Sequence, residues 1–257
     1  MVCKKPLICF IHIPRTAGTS FLQAIREGFG DRALFVKELN GKCEKVAALV
    51  KKANDIDIVA GHQTYGLHRY LERPIHYATL LRDPIERYLS EYTLRLNPLK
   101  WIPTDTARGN RTPTSYFEGV AQEFVRRAKK LDSWSDKQAS WLAGISAKDQ
   151  SLDPQEVVSR AKSHLSDFRF VGITEHLEKS RELFNRLFGA TLCLPQKQYK
   201  HSAIKIIYDQ VDSELKEFIN SRVRLDREIY ELGFSIFKER VALVNQTPSP
   251  RKGKTEE

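Results

Sequence analysis

Apolar positions along this chain follow two alternating rhythms. Short apolar runs recur at residues 7–13 (LICFIHI), 33–36, 56–60, 75–81 and 168–173. The first is almost unbroken and rich in β-branched residues, which predicts a central strand buried on both faces. Helical spacing falls between the runs. Residues 19–29 put Phe21, Leu22 and Ile25 on one face. Further helices are predicted over 42–53, from 84 onward, and over 115–131, 154–165, 175–188 (ended by Gly189) and 212–232. Strands alternating with helices predict an α/β fold. Asp83 is placed to cap the helix that follows it, Pro84 suits the first turn, and Glu86 completes a capping-box spacing.

The middle departs from this rhythm. Residues 97–114 hold three prolines and few apolar residues, so a loop is expected there. There is no internal repeat. One domain over residues 1–244 is predicted, with a helical insert at about 97–165. The tail 245–257 (NQTPSPRKGKTEE) is polar and Pro-punctuated, and disorder is predicted.

Composition narrows the classes. The 257 residues are 41% hydrophobic and 10% aromatic, enough for a sizeable core. No stretch approaches ~18 apolar residues, so no membrane insertion is expected. The first apolar run has the length of a strand and is followed by no small-residue cleavage site, unlike a signal peptide. Cys3, Cys9, Cys43 and Cys193 form no C-x-x-C pair and have no His at ligand spacing. Reduced thiols in a cytoplasmic protein, with no metal site, are the expectation. The net charge of +10 favours an anionic partner. The basic residues are nevertheless scattered among acids, without the aromatic-basic pattern of a nucleic-acid-binding sheet.

Two motifs carry chemistry. The first joins the buried strand to a helix: Ile11-His12-Ile13-Pro14-Arg15-Thr16-Ala17-Gly18-Thr19-Ser20. Small and hydroxylated residues in such a turn aim backbone N–H groups and a helix N-terminus at an anion. Arg15 adds a charge able to make bidentate contacts. The run lacks G-x-x-x-x-G-K-[ST] and has no evident magnesium carboxylate, so it is not a Walker A sequence. The second motif, RDPIERYLSEY at residues 82–92, leaves a strand end where open α/β sheets bind ligands. Ser90 lies about two turns along the next helix, on the face of Glu86 and Arg87. Arg82 and Ser90 are candidates to hold a second phosphate; a salt-bridged helix start is the alternative.

Together the motifs resemble those of the sulfotransferases, in particular the group related to heparan sulfate 2-O-sulfotransferases and other carbohydrate sulfotransferases. HIPRTAGTS resembles that family's 5′-phosphosulfate loop, and RDPIERYLSEY its 3′-phosphate motif. The similarity continues through residues 136–144 (DKQASWLAG), 170–175 (FVGITE) and 225–230 (LDREIY), and covers residues 6 to about 237. The resemblance implies a P-loop-like three-layer fold with a central parallel sheet. It implies transfer of a sulfuryl group from 3′-phosphoadenosine 5′-phosphosulfate (PAPS) to a hydroxyl or amine, with a carbohydrate hydroxyl the expected acceptor here, releasing 3′-phosphoadenosine 5′-phosphate (PAP). Carried over by position, Arg15, Thr16, Ala17, Gly18, Thr19 and Ser20 would hold the 5′-phosphosulfate, and Arg82 and Ser90 the 3′-phosphate.

The family's loop usually has Lys where this chain has Arg15. Arg stays protonated at ordinary pH, so Arg15 is assigned an electrostatic role on the leaving phosphate. His62, after the strand at 56–60, is the candidate base, with His68 as runner-up and His12 expected to pack inside. Lys197, Lys200 and His201 form a basic cluster, either a solvated loop or a cover over the nucleotide. Trp101, Trp134 and Trp141 are expected in core packing, with sugar stacking as the alternative. Arg222, Arg224 and Arg227 are expected on a charged helix face. Animal members of the family are generally Golgi membrane proteins with an N-terminal anchor. This chain begins about five residues before its first strand, so a bacterial cytoplasmic form or an excised catalytic domain is expected. No sequence feature specifies an oligomeric state. Two other readings stay open: a P-loop-like phosphotransferase, with Asp83 its nearest magnesium carboxylate, and a non-catalytic polyanion-binding module.

Overall fold

The computed structural model describes residues 5–36, 43–52, 55–96, 135–145, 152–195, 208 and 213–246. Five strands form one parallel sheet: β1 (Leu7–Ile11), β2 (Ala33–Val36), β3 (Ile58–Gly61), β4 (Ile75–Leu81) and β5 (Phe170–Ile173). Their spatial order is β2-β3-β1-β4-β5, so β1 is central. Every residue of β1 is buried, which is why its sequence is apolar without alternation. The register sets Ile11 beside Gly61 on one side and Thr79 on the other.

Helices fill the gaps between strands: α1 (Gly18–Phe29), α2 (Cys43–Lys52), α3 (Pro84–Leu96), α4 (Lys137–Leu142), α5 (Pro154–Asp167), α6 (Leu177–Phe188), α7 (Ser213–Arg222) and α8 (Arg224–Gln246). Helix α1 buries Phe21, Ala24 and Ile25. Phe21 stacks on Phe10 of β1 with centroids 5.2 Å apart and meets Phe184 of α6 edge-on at 5.5 Å. Helices α6 and α8 pack against β5. Among the described residues, no helix is long and apolar enough to cross a membrane.

The topology creates a crevice. The chain leaves β1 toward β2 on one side of the sheet, and leaves β4 toward β5 on the other. Neighbouring strands whose exits diverge open a cleft at their carboxyl ends, the usual ligand position in such sheets. Thr79 Oγ1 donates to Ile11 O at 2.9 Å and closes the last point where β1 and β4 meet. The two sequence motifs begin just beyond it.

Most predicted elements stand where expected, with ends shifted by a few residues. Predicted strand 56–60 runs Ile58–Gly61, and the helix predicted over 154–165 runs Pro154–Asp167, capped by Asp153 Oδ2 on the amides of Gln155 and Glu156. The loop at 97–114, the helix at 115–131, Trp101, Trp134, Lys197, Lys200 and His201 lie outside the described residues.

The C-terminal pattern differs most. In place of one helix over 212–232 there are two, α7 and α8, parted at Val223. The second runs on to Gln246, so the tail predicted from 245 begins helically. The cause of the break is an exchange of caps between distant helices. Asp136, just before α4, accepts from the amides of Leu225 and Asp226 in the first turn of α8, at 2.7 and 2.9 Å, both on Oδ1. Asp226 in turn accepts from Ala139 N in α4, at 2.8 Å. Each carboxylate satisfies helix-start amides that otherwise have no intrahelical partner, and each meets the positive end of a helix dipole. The start of α8 is therefore set by a residue far away in sequence.

Candidate functional site

The loop after β1 is held in a strained path. Arg15 and Ala17 both take left-handed backbone angles, φ 72° and 56°. For non-glycine residues this costs about 1 kcal/mol or more each, sustained here by surrounding bonds. Thr16 is one of them: fully buried, its Oγ1 donates to Ile13 O at 2.8 Å. Its hydroxyl proton is thus committed inside the loop rather than pointed outward.

Ala17 is the N-cap of α1 and has no side chain to cap with, and no acidic residue stands in the first turn. Thr19 is exposed and Ser20 half-buried at that end. An uncapped helix start free of acids, beside a cation, is suited to an anion.

Gly18 is required by a close approach. A Cβ there would lie 1.6 Å from His12 Cε1, so the imidazole lies flat against the start of α1. His12 is 8% exposed, and its Nδ1 has no hydrogen-bond partner. Burial, with His62 and Arg15 adding to it, lowers its pKa to about 3. His12 is therefore a neutral, packed group, as its place in the first apolar run suggests.

Gly61 does the same service at the end of β3. It sits at φ 152°, and a Cβ would stand 2.0 Å from Val36 O. That tight passage lets His62 N donate to Val36 O and brings the His62 ring to the edge of the crevice. The ring is half-buried, 5.0 Å from His12 and 5.9 Å, edge-on, from Trp141. Trp141 is 8% exposed and thus belongs to the core while forming one wall beside His62. His68, the alternative base, is exposed; its Nδ1 is 2.8 Å from Tyr77 Oη, and its ring lies 5.8 Å from that tyrosine's.

The two motifs meet across the crevice. Arg15 donates from Nε and Nη2 to Ser90 Oγ, at 2.9 and 2.8 Å. Arg82 Nη1 donates to Arg15 O at 3.1 Å, and its Nη2 pairs with Glu86 Oε2 at 3.2 Å. Burial lowers the pKa of Arg15, Glu91 raises it, and Arg82 lowers it further. Both cations are thus gathered at the uncapped end of α1. Asp83 caps α3 by accepting from Glu86 N at 2.9 Å, as expected. The capping box is only half made, because the Glu86 carboxylate turns to Arg82 and Asp83 N donates instead to Glu175 Oε1.

Arg87 does not share the outward face of Glu86 and Ser90. It points inward, fully buried, with Nε 3.4 Å from Asp226 Oδ2. Burial raises the pKa of Asp226 while Arg87 opposes the rise. Burial and the charge of Asp226 push Asp136 up to about 7. Arg222 is found over the Phe218 ring at 5.0 Å, and Arg227 bonds Asn220 across the helix break. Among the described residues, no cluster of three or more His, Cys, Asp or Glu could hold a metal ion.

The profile of the sulfotransferase family matches residues 1–238. The chain belongs to that family. Its sequence is 26% identical over 269 residues to heparan-sulfate 6-O-sulfotransferase 1 of Gallus gallus, covering 88% of this chain and 65% of the relative. It is 25% identical over 280 residues to heparan-sulfate 6-O-sulfotransferase 2 of Gallus gallus, covering 93% and 69%. Over 187 residues it is 29% identical to heparan-sulfate 6-O-sulfotransferase 1 of Homo sapiens, covering 65% and 44%. The chain thus spans about two thirds or less of these relatives' lengths. They are carbohydrate sulfotransferases by name, of 6-O rather than 2-O type. The five-stranded parallel sheet accords with an α/β sulfotransferase fold.

Proposed function

We propose that the protein transfers a sulfuryl group from PAPS to a hydroxyl of a carbohydrate. The observation that carries the reading is the Arg15–Ser90 bridge, which joins the 5′-side loop to the 3′-side helix across the crevice. A donor with phosphates at both ends of a ribose suits two cationic subsites so linked. The amides at the start of α1, with Arg15, Gly18, Thr19 and Ser20, hold the 5′-phosphosulfate. Thr16 and Ala17 contribute through backbone, since the hydroxyl of Thr16 is spent on Ile13. Arg82 and Ser90 hold the 3′-phosphate.

In the reaction, the acceptor oxygen forms a bond to sulfur as the bond from sulfur to the bridging phosphate oxygen breaks. The acceptor proton passes to His62, at the edge of the same crevice. Arg15 stabilises the charge that grows on the bridging oxygen. Position and positive charge do most of the work, by analogy with phosphoryl transfer.

The names of the relatives favour a 6-hydroxyl of heparan sulfate, an acidic glycan, as acceptor. The +10 charge suits such a chain. The free thiols of Cys9, Cys43 and Cys193 support a reducing, cytoplasmic compartment. The phosphotransferase alternative is disfavoured because Asp83, its nearest magnesium carboxylate, is used as a helix cap. The test is transfer from radiolabelled PAPS to a desulfated heparan acceptor in the presence of EDTA. Label on the glycan is the expected result. Label only with magnesium and a labelled nucleoside triphosphate would overturn the reading.

A further inference from the structure

Three short segments that resemble the family, residues 136–144, 170–175 and 225–230, take no part in the donor site as described. In the structure all three bear on one corner, Arg82-Asp83, where β4 hands over to α3. Gln138 is fully buried and bonds Arg82 twice: its Oε1 accepts from Arg82 N at 2.9 Å, and its Nε2 donates to Arg82 O at 3.0 Å. Glu175 Oε1 accepts from Asp83 N at 3.0 Å, and its Oε2 accepts from Tyr230 Oη at 3.1 Å. Behind them, the caps exchanged between Asp136 and Asp226 hold α4, and so Gln138, against α8.

The arrangement constrains direction as well as place. Arg82 N belongs to the peptide before its Cα, and Arg82 O to the peptide after it. One carboxamide therefore fixes both planes that flank this Cα, and with them the direction in which the side chain leaves. Glu175 holds the second plane again, through Asp83 N. A helix start needs no such bracing, since Asp83 already caps α3. What needs it is a guanidinium that must reach a fixed point beside Arg15 O.

We propose that Gln138, backed by Glu175 and the Asp136–Asp226 exchange, is a positioning residue that aims Arg82 at the 3′-phosphate of the donor. The inference rests on the donor reading given above. Gln138 touches no donor atom; it acts through the Arg82 backbone.

The experiment compares PAP with adenosine 5′-phosphate by titration calorimetry, on the full chain. Gln138→Met preserves volume and removes both bonds to Arg82, together with the Gln138 side-chain bond to Asp226. It should weaken PAP about tenfold, the loss of roughly one well-made hydrogen-bond pair, and leave adenosine 5′-phosphate within about twofold. Glu175→Ala, at an exposed site, should shift the same ratio in the same direction by less, and serves if Gln138→Met fails to fold. Equal weakening of both nucleotides, or an unchanged ratio, would overturn the positioning role. Wild-type protein that fails to bind PAP would instead overturn the donor reading on which it stands.

Discussion

Arg15 and Ser90 form an unusual pair, in that two guanidinium N–H groups converge on one hydroxyl oxygen, at 2.9 and 2.8 Å. A serine oxygen has two acceptor sites, so this contact fills both and leaves the serine proton to be donated elsewhere. Ser90 can therefore accept from Arg15 and donate to a phosphate at once. Removing the hydroxyl breaks both links. Ser90→Ala should weaken PAP about tenfold or more, and adenosine 5′-phosphate, which feels only the loosened Arg15, by clearly less, read by calorimetry. Equal weakening of the two would refute a contact to the 3′-phosphate.

His62 reaches the crevice edge through the turn at Gly61, where its ring lies 5.0 Å from that of His12 and 5.9 Å from that of Trp141. His62→Ala should lower the single-turnover rate by about 100-fold or more, the scale of a lost general base, with PAP affinity within about twofold. A loss of PAP binding to match the loss of rate would make His62 a structural residue.

The contact between His12 and Gly18 leaves no room for a methyl group. Gly18→Ala should destabilise the protein by about 1–3 kcal/mol in urea unfolding, the usual scale of overpacking. Combined with His12→Ala, the added cost should shrink, because the ring that meets the methyl is gone. Strict additivity would contradict the contact.

Asp136 gives a pH dependence whose sign follows from its environment. Its carboxyl titrates near 3.8 in a free chain and is pushed up to about 7 in the fold, by burial first and by Asp226 next, with Arg87 opposing. Among the described residues, Asp226 from α8 and Arg87 from α3 are charged neighbours that act on it. The folded state therefore keeps a proton that the unfolded chain has released. The linked stability is fully present below about pH 4 and is lost as pH rises through about 7. Asp136→Asn retains Oδ1 as an acceptor for the two amides of α8 and does not titrate. Its stability relative to wild type should rise between pH 5 and pH 8, measured by urea unfolding at each pH. A relative stability that falls over this range would reverse the assignment.

The local parts of the site were legible from the sequence. An unbroken apolar run, a proline and a glycine are enough to read β1, its loop and α1; Asp83-Pro84 is enough to read the start of α3. His12 could be read as packed because it sits within the apolar run. Long-range causes could not be read. Nothing near residue 223 marks a helix break, because the carboxylate that caps α8 is that of Asp136. Glu86 has capping-box spacing, but the nearby Arg82 claims it. Arg87 has the spacing of a surface residue and is drawn inside by Asp226. Thr16 stands among the loop residues expected to hold the 5′-phosphosulfate, and only the tight turn back to Ile13 shows where its hydroxyl proton goes. Gln138 stood within a segment of family resemblance, yet its partner is backbone, which no side-chain pattern reveals.

Thermal unfolding with PAP, with ATP plus magnesium, and with neither tests the donor site most directly. A ligand at 100 times its dissociation constant adds about 2.7 kcal/mol to the folded state, a shift that is easily seen. PAP alone, in EDTA, should raise the midpoint. A rise only with ATP and magnesium, or no rise with either, would contradict a PAPS site built from the Arg15 loop and the Ser90 helix.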